Sequence, residues 1–142
     1  MKRALLLLFF LVFSISAYSQ ETTIEPAKEP ETPVGPEDKI YSTAGIESRP
    51  DFPGGITEFY KFVAKKYKVP NVKGGLSGKV FVTFVVEKDG RLGDIKVIRD
   101  IGYGTGEEAI RMLKKCPKWI PGQQMGKPVR VLYSLPINIQ TQ

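Results

Sequence analysis

The chain has 142 residues, room for one domain and not two. It carries 21 Lys and Arg against 15 Asp and Glu, a net charge of +6, with a single Cys and no His. That inventory excludes an internal disulfide and any Cys–His nucleophile pair. It also strips a transition-metal site of its usual ligands, so no metal and no other cofactor is expected.

Met1-Lys2-Arg3 is a short basic stretch, followed by an unbroken apolar run from Ala4 to Phe13. Ala17-Tyr18-Ser19 then offers small residues at the spacing a signal peptidase reads, which predicts a secretory signal over residues 1–19 and cleavage before Gln20. The apolar run falls short of the ~20 residues that span a bilayer. An uncleaved inner-membrane anchor is the competing reading. From residue 20 to 49 there is no apolar periodicity, while Pro26, Pro30, Pro33 and Pro36 recur among Glu and Thr. Such a composition cannot bury enough apolar area to offset ordering, so residues 20–49 are predicted to be a flexible linker. Fully extended, its roughly 30 residues would reach on the order of 100 Å.

Phe52-Pro53-Gly54-Gly55 reads as a turn that opens a helix. Ile56, Phe59, Tyr60, Val63 and Tyr67 fall at i, i+3, i+4, i+7 and i+11, one apolar stripe, and Pro70 halts it. The glycines at 74, 75 and 78 precede a strand instead of a helix and lack the Lys-Ser/Thr ending of a phosphate loop. Val80, Val82, Phe84 and Val86 alternate along a first strand, Asp89-Gly90 marks a hairpin, and residues 95–99 form the return strand. Leu92 is out of phase with Ile95 and Val97, which predicts a bulge near Gly93.

Thr105-x-x-Glu108 has the form of a capping box at the start of a second helix, with Ala109, Met112, Leu113 and Cys116 along one face. Cys116 is expected to be a buried structural thiol. Trp119, held between Pro117 and Pro121, is expected to join Phe84 and Cys116 in the core. In the last strand Val129, Val131, Tyr133, Leu135, Ile137 and Ile139 share one face. Arg130, Leu132, Ser134, Pro136 and Asn138 lie on the other. A proline belongs in a sheet only at an edge or a bulge, so this strand is expected at an edge, open along part of its length. Arg130 and Pro136 would limit unwanted pairing there. The whole reads as an α+β two-layer domain over residues 50–142: a small antiparallel three-stranded sheet with two helices on one face, its order 2-1-3 if the last strand pairs with the first.

Charge divides along the chain. Residues 21–48 hold seven acids and two bases, a net −5, whereas residues 49–142 hold 17 bases and eight acids, a net +9. The aromatics fall at core-facing positions instead of forming a stacking platform, so no nucleic acid is expected as a partner. Acidic segments of protein partners, or acidic envelope components, fit the basic domain better. The acids sit at turns, helix starts and exposed strand positions, and no catalytic site assembles from them.

The ordered series Phe52-Pro53-Gly54-Gly55, Gly78-Lys79-Val80, Glu108-Ala109, Pro117-Lys118-Trp119-x-Pro121-Gly122, Gly126-Lys127-Pro128-Val129 and Leu135-Pro136-Ile137 resembles the C-terminal domain of the TonB family of energy transducers. The resemblance covers roughly residues 50–140, with Val69-Pro70 where the family often carries Tyr-Pro. It implies a periplasmic adaptor, not an enzyme. The adaptor would grip the N-terminal plug segment of an outer-membrane TonB-dependent transporter and support energy-coupled uptake. Strand addition onto Val129, Arg130, Val131, Leu132, Tyr133, Ser134 and Leu135 would supply the contact. If the N-terminus stays uncleaved, inner-membrane motor subunits become partners too. If it is cleaved, a stand-alone envelope binding module without energy transduction is the alternative. A homodimer is left open.

Overall fold

The computed structural model describes residues 35 and 37–141, all within the unit Pro33–Gln142. The expected signal segment at 1–19 and most of the expected linker lie outside the described residues. The elements run β1 (Ile40–Ser42), α1 (Ile56–Lys66), β2 (Ser77–Val86), β3 (Leu92–Arg99), α2 (Thr105–Lys114), β4 (Gly122–Gln124) and β5 (Lys127–Gln140). The sheet order is β1-β5-β2-β3, with β4 also pairing β5.

The three long strands keep the expected order, β3-β2-β5, and both helices cover one face. On that face Val80, Val82, Phe84 and Val86 of β2 and Leu135, Ile137 and Ile139 of β5 are buried with Phe59 and Val63 of α1 and Ala109, Met112 and Leu113 of α2. Each of these Val, Leu, Ile, Phe and Met side chains, fully buried, contributes about 1.5–3 kcal/mol before entropy is counted. The β2–β5 ladder runs unbroken through ten residue pairs, Ser77↔Gln140 to Val86↔Val131. The bulge expected near Gly93 falls beside it. Thr83 pairs Lys96 and Val85 pairs Gly93, two steps on β2 against three on β3, and Asp94 takes the left-handed backbone (φ 46°).

Four expectations are corrected. First, among the described residues the sheet has five strands, not three, and β5 is not its edge. β1 and β4 have three residues each, too few to show a periodicity, and they form only because β5 offers them a register. Second, strand pairing reaches back before residue 50, into the stretch expected to be linker. Ile40–Ser42 pairs with β5, and Ser48 and Asp51 bridge Gln123 and Ile120. The β-branched and aromatic pair Ile40-Tyr41 suffices for a strand once a partner edge is present.

Third, the α1 stripe is narrower than its spacing suggests. Phe59, Val63 and Tyr67 are buried, but Ile56 and Tyr60 are exposed, because the domain covers only one side of an 11-residue helix. Fourth, Thr105 does not cap α2. Gly104 takes the N-cap position in left-handed geometry, and the Thr105 hydroxyl donates to the Gly102 carbonyl at 2.6 Å. Glu108 has stronger partners: it pairs with Arg111 and accepts the Lys68 N–H at 2.7 Å. The Arg111 guanidinium, followed by the Lys68 N–H, holds the Glu108 carboxyl below its ordinary range despite partial burial. Arg111 also donates to the Lys66 carbonyl at 2.9 Å, so this pair ties α2 to the end of α1.

A candidate strand-docking edge

Trp119 sets the position of β5 from inside the domain. It is 2% exposed and meets Phe52, Phe59, Phe84 and Tyr133 with ring centroids 5.8, 5.4, 5.3 and 5.3 Å away. Phe84 is fully buried and stacks on Tyr133 across the β2–β5 ladder at 5.7 Å. Edge-to-face rings at these separations add to the area they bury. The indole N–H points at the Cys116 sulfur, 3.4 Å away. Cys116 itself is half-buried, and burial pushes its thiol up, against the opposing hydrogen bond from Trp119. A thiol held in that state is a weak nucleophile.

Outside the core, β5 turns its other face to solvent. Leu132 is 44% exposed and Ser134 is exposed, while Val131 is fully buried and Leu135 nearly so. Val129, Arg130 and Tyr133 are half-buried. Burial, with Asp51 nearby, raises the Tyr133 hydroxyl above its ordinary range. The run Val129–Leu135 therefore does present alternate side chains inward and outward. Its outer edge, however, is not open throughout.

β1, running parallel, covers that edge at Arg130–Leu132, while β4 pairs the start of the strand at Lys127–Val129. Further along, the Tyr60 hydroxyl donates to the Pro136 carbonyl at 3.2 Å. Between these two occupants Tyr133, Ser134 and Leu135 have no ladder partner on the outer side among the described residues. Pro136 stands opposite Phe81 in the β2 ladder and gives it no N–H. Hydrogen-bonding direction alternates along an antiparallel strand, so Ser134, two residues away, also aims its N–H and C=O away from β2.

Arg130 does more than discourage unwanted pairing. Its guanidinium grips Glu87, Nε to Oε2 at 2.7 Å and Nη2 to Oε1 at 3.2 Å, and its Nη1 donates to the Asp38 carbonyl at 3.1 Å. Glu87 begins the β2–β3 turn and Asp38 leads into β1, so one side chain fastens both to β5. The resulting pair raises the Arg130 guanidinium further above its ordinary value. Sequence reasoning missed Tyr60, Glu87, Asp38 and Ile40–Ser42 as neighbours of this edge. Only the Ile40-Tyr41 pair carried a local signal for it, inside an otherwise acidic, proline-rich run.

Among the described residues several acids are engaged in pairs and turns. Glu87 and Glu108 are in ion pairs, Asp89 accepts the Arg91 N–H at 3.0 Å, and Asp100 accepts the Gly102 N–H at 2.9 Å. On the face away from the helices, Phe81, Thr83, Ile98, Arg99, Ser134 and Pro136 line a shallow apolar groove of about 490 Å³. Ile98 on its rim is 65% exposed. Among the described residues no helix is long and apolar enough to cross a membrane.

The family model for the Gram-negative bacterial TonB protein C-terminal matches residues 64–139, more than half of the chain. Among solved structures, the solution NMR structure of the Pseudomonas aeruginosa TonB C-terminal domain is similar at 19% identity. The likeness covers 72% of this chain and 97% of that one, at a TM-score of 0.39. No curated protein matches the chain.

Proposed function

The chain belongs to the TonB C-terminal family, and on that premise we propose that it is a periplasmic adaptor. It receives the N-terminal plug segment of an outer-membrane TonB-dependent transporter as an added strand on β5; with its N-terminus held in the inner membrane it would couple energy to uptake, and with that segment cleaved it would act as a stand-alone binding module. The observation that carries this reading is the gap at Tyr133–Leu135. There the inner ladder is complete, the side chains of Tyr133 and Leu135 are packed on the core, and the outward backbone of Ser134 lacks a ladder partner among the described residues. Main-chain groups in one register would give the affinity, and the alternating outer side chains the selectivity.

Ser134→Pro tests the mechanism. The proline ring would replace an outward N–H at a position equivalent to the existing Pro136, so the β2 ladder survives and the fold with it. In a titration with a labelled plug-segment peptide, this variant is expected to lose measurable binding while melting close to wild type. Lys65→Glu with Lys66→Glu should weaken binding only a few-fold, and less at high salt. Should the folded proline variant bind normally while the lysine reversals abolish binding, the basic surface is the site and strand addition is wrong.

Energy coupling requires a mechanical link to the inner membrane. We propose that residues 1–19 are a cleaved signal and that the chain acts as an exported module. Intact-mass measurement on protein from the native envelope should give a mature N-terminus at or near Gln20. Retention of Met1 in the inner-membrane fraction would restore the anchored transducer with motor partners.

A further inference from the structure

We propose that β1 is a built-in occupant of the docking edge, which an incoming strand must displace. The chain's own N-terminal flank thereby holds the site partly closed. The inference rests on the strand-addition reading and concerns the regulation of that same edge.

Length makes the case first. A strand in a sheet usually has about five or six residues. The gap between β1 and the Tyr60–Pro136 hydrogen bond is Tyr133–Leu135, and within it only Ser134 aims its polar groups outward. A ligand strand cannot extend favourably toward Pro136, which has no N–H to give and whose carbonyl already accepts from Tyr60. It must extend the other way, over Leu132, Val131 and Arg130, where β1 lies.

β1 is also the neighbour of β5 that can leave. It has three residues, Ile40 is 44% exposed, Ser42 is exposed, and none of the three belongs to the buried core. Two tethers hold its lead-in: the Arg130–Asp38 hydrogen bond, and a Lys88–Glu37 ion pair at 2.8 Å whose Glu37 side chain is 87% exposed. Exposed ion pairs of that kind add little. β4 is equally short but fixed. It is joined to β5 by the two-residue turn Met125-Gly126, both in left-handed backbone, and its Gly122 is buried. The Ser48–Gln123 bridge anchors the chain beyond β1, so Ile40–Ser42 can peel away while the segment from Ser48 onward stays in place.

The gap and the weak occupant together make binding an exchange of strands. Apparent affinity is then the intrinsic affinity reduced by the fraction of molecules whose edge is clear. The full chain carrying Ile40→Pro and Tyr41→Pro loses an N–H of each orientation, so β1 cannot pair. It is expected to bind a synthetic plug-segment peptide about five- to thirty-fold more tightly than wild type. In the wild-type complex, amide exchange at Ile40–Ser42 should accelerate while Gly122–Gln124 stays protected.

Equal or weaker binding by the folded double variant, or undiminished protection of Ile40–Ser42 in the complex, overturns the proposal and leaves strand addition standing. If the variant does not fold, exchange in the wild-type complex decides alone. A peptide that binds neither chain removes the strand-addition reading, and the occlusion with it.

Discussion

Trp119→Ala is expected to destabilise the domain by about 3–5 kcal/mol, the range for emptying a large aromatic from a core. Whole-domain stabilities lie at roughly 5–15 kcal/mol, so this one change removes a large share. For a domain of this size it should lower Tm on the order of 20 °C. The cost is high because the site cannot collapse. The indole touches four other rings, and these come from the segment before α1 (Phe52), from α1 (Phe59), from β2 (Phe84) and from β5 (Tyr133). No single neighbour can move into the hole without leaving its own place. Differential scanning calorimetry on the purified chain measures the loss. A Tm within a few degrees of wild type would mean that the ring cluster does not support the fold. Tyr133 is one of the four partners, so the same variant should also loosen the docking gap and speed amide exchange at Tyr133, whose N–H faces β2.

Gly90→Ala should be as damaging, by a different route. Gly90 sits at φ 84°, a conformation that costs an L-residue roughly 1–2 kcal/mol. Its missing side chain matters more than its freedom. A Cβ there would stand 2.0 Å from the Trp119 carbonyl oxygen, a backbone atom with nowhere to go. At present the Gly90 carbonyl accepts the Trp119 N–H at 2.8 Å, and this bond hangs the tryptophan segment from the β2–β3 turn. A methyl group would force the two backbones apart and withdraw Trp119 from its rings. The expected loss is about 4 kcal/mol or more, in the range reserved for strained or severely misfitted sites. Tryptophan fluorescence should shift to the red in whatever fraction remains folded. A variant that melts like wild type with unshifted emission would show that the turn and the tryptophan segment are not in contact.

These two positions illustrate what local sequence can and cannot carry. Asp89-Gly90 announces a hairpin, and the turn is there, with the Gly90 N–H bonded to the Glu87 carbonyl. Nothing within a few residues of Gly90 reveals that its second duty is to make room for a backbone 29 positions away. The place of Trp119 between two prolines points it to the core, because a large apolar ring in a small domain has few other places to go. That it bridges the β2–β3 turn and the strand β5 has no such local sign.

The alternation of β2 and β5, the periodicity of the two helices and the out-of-phase Leu92 are local properties, set by side-chain direction in strand or helix. They determined the α+β class, the single covered face and the bulge, whereas the order β3-β2-β5 depended on β5 pairing with β2. Tertiary structure decided the edges. A three-residue strand carries less than two periods of alternation, so Ile40–Ser42 and Gly122–Gln124 become strands only when β5 presents unpaired groups beside them. The same holds for the side chains that close the site. Glu108 looks like a capping residue until Lys68 is brought to it, and Tyr60 looks like core until the helix is set down with that ring at its rim. Sequence by itself singled out β5 as the strand expected to receive a partner. How much of that strand is free depended on contacts between residues 90 positions apart, such as Ile40 and Arg130, because pairing energy belongs to two chain segments and is absent from either one alone.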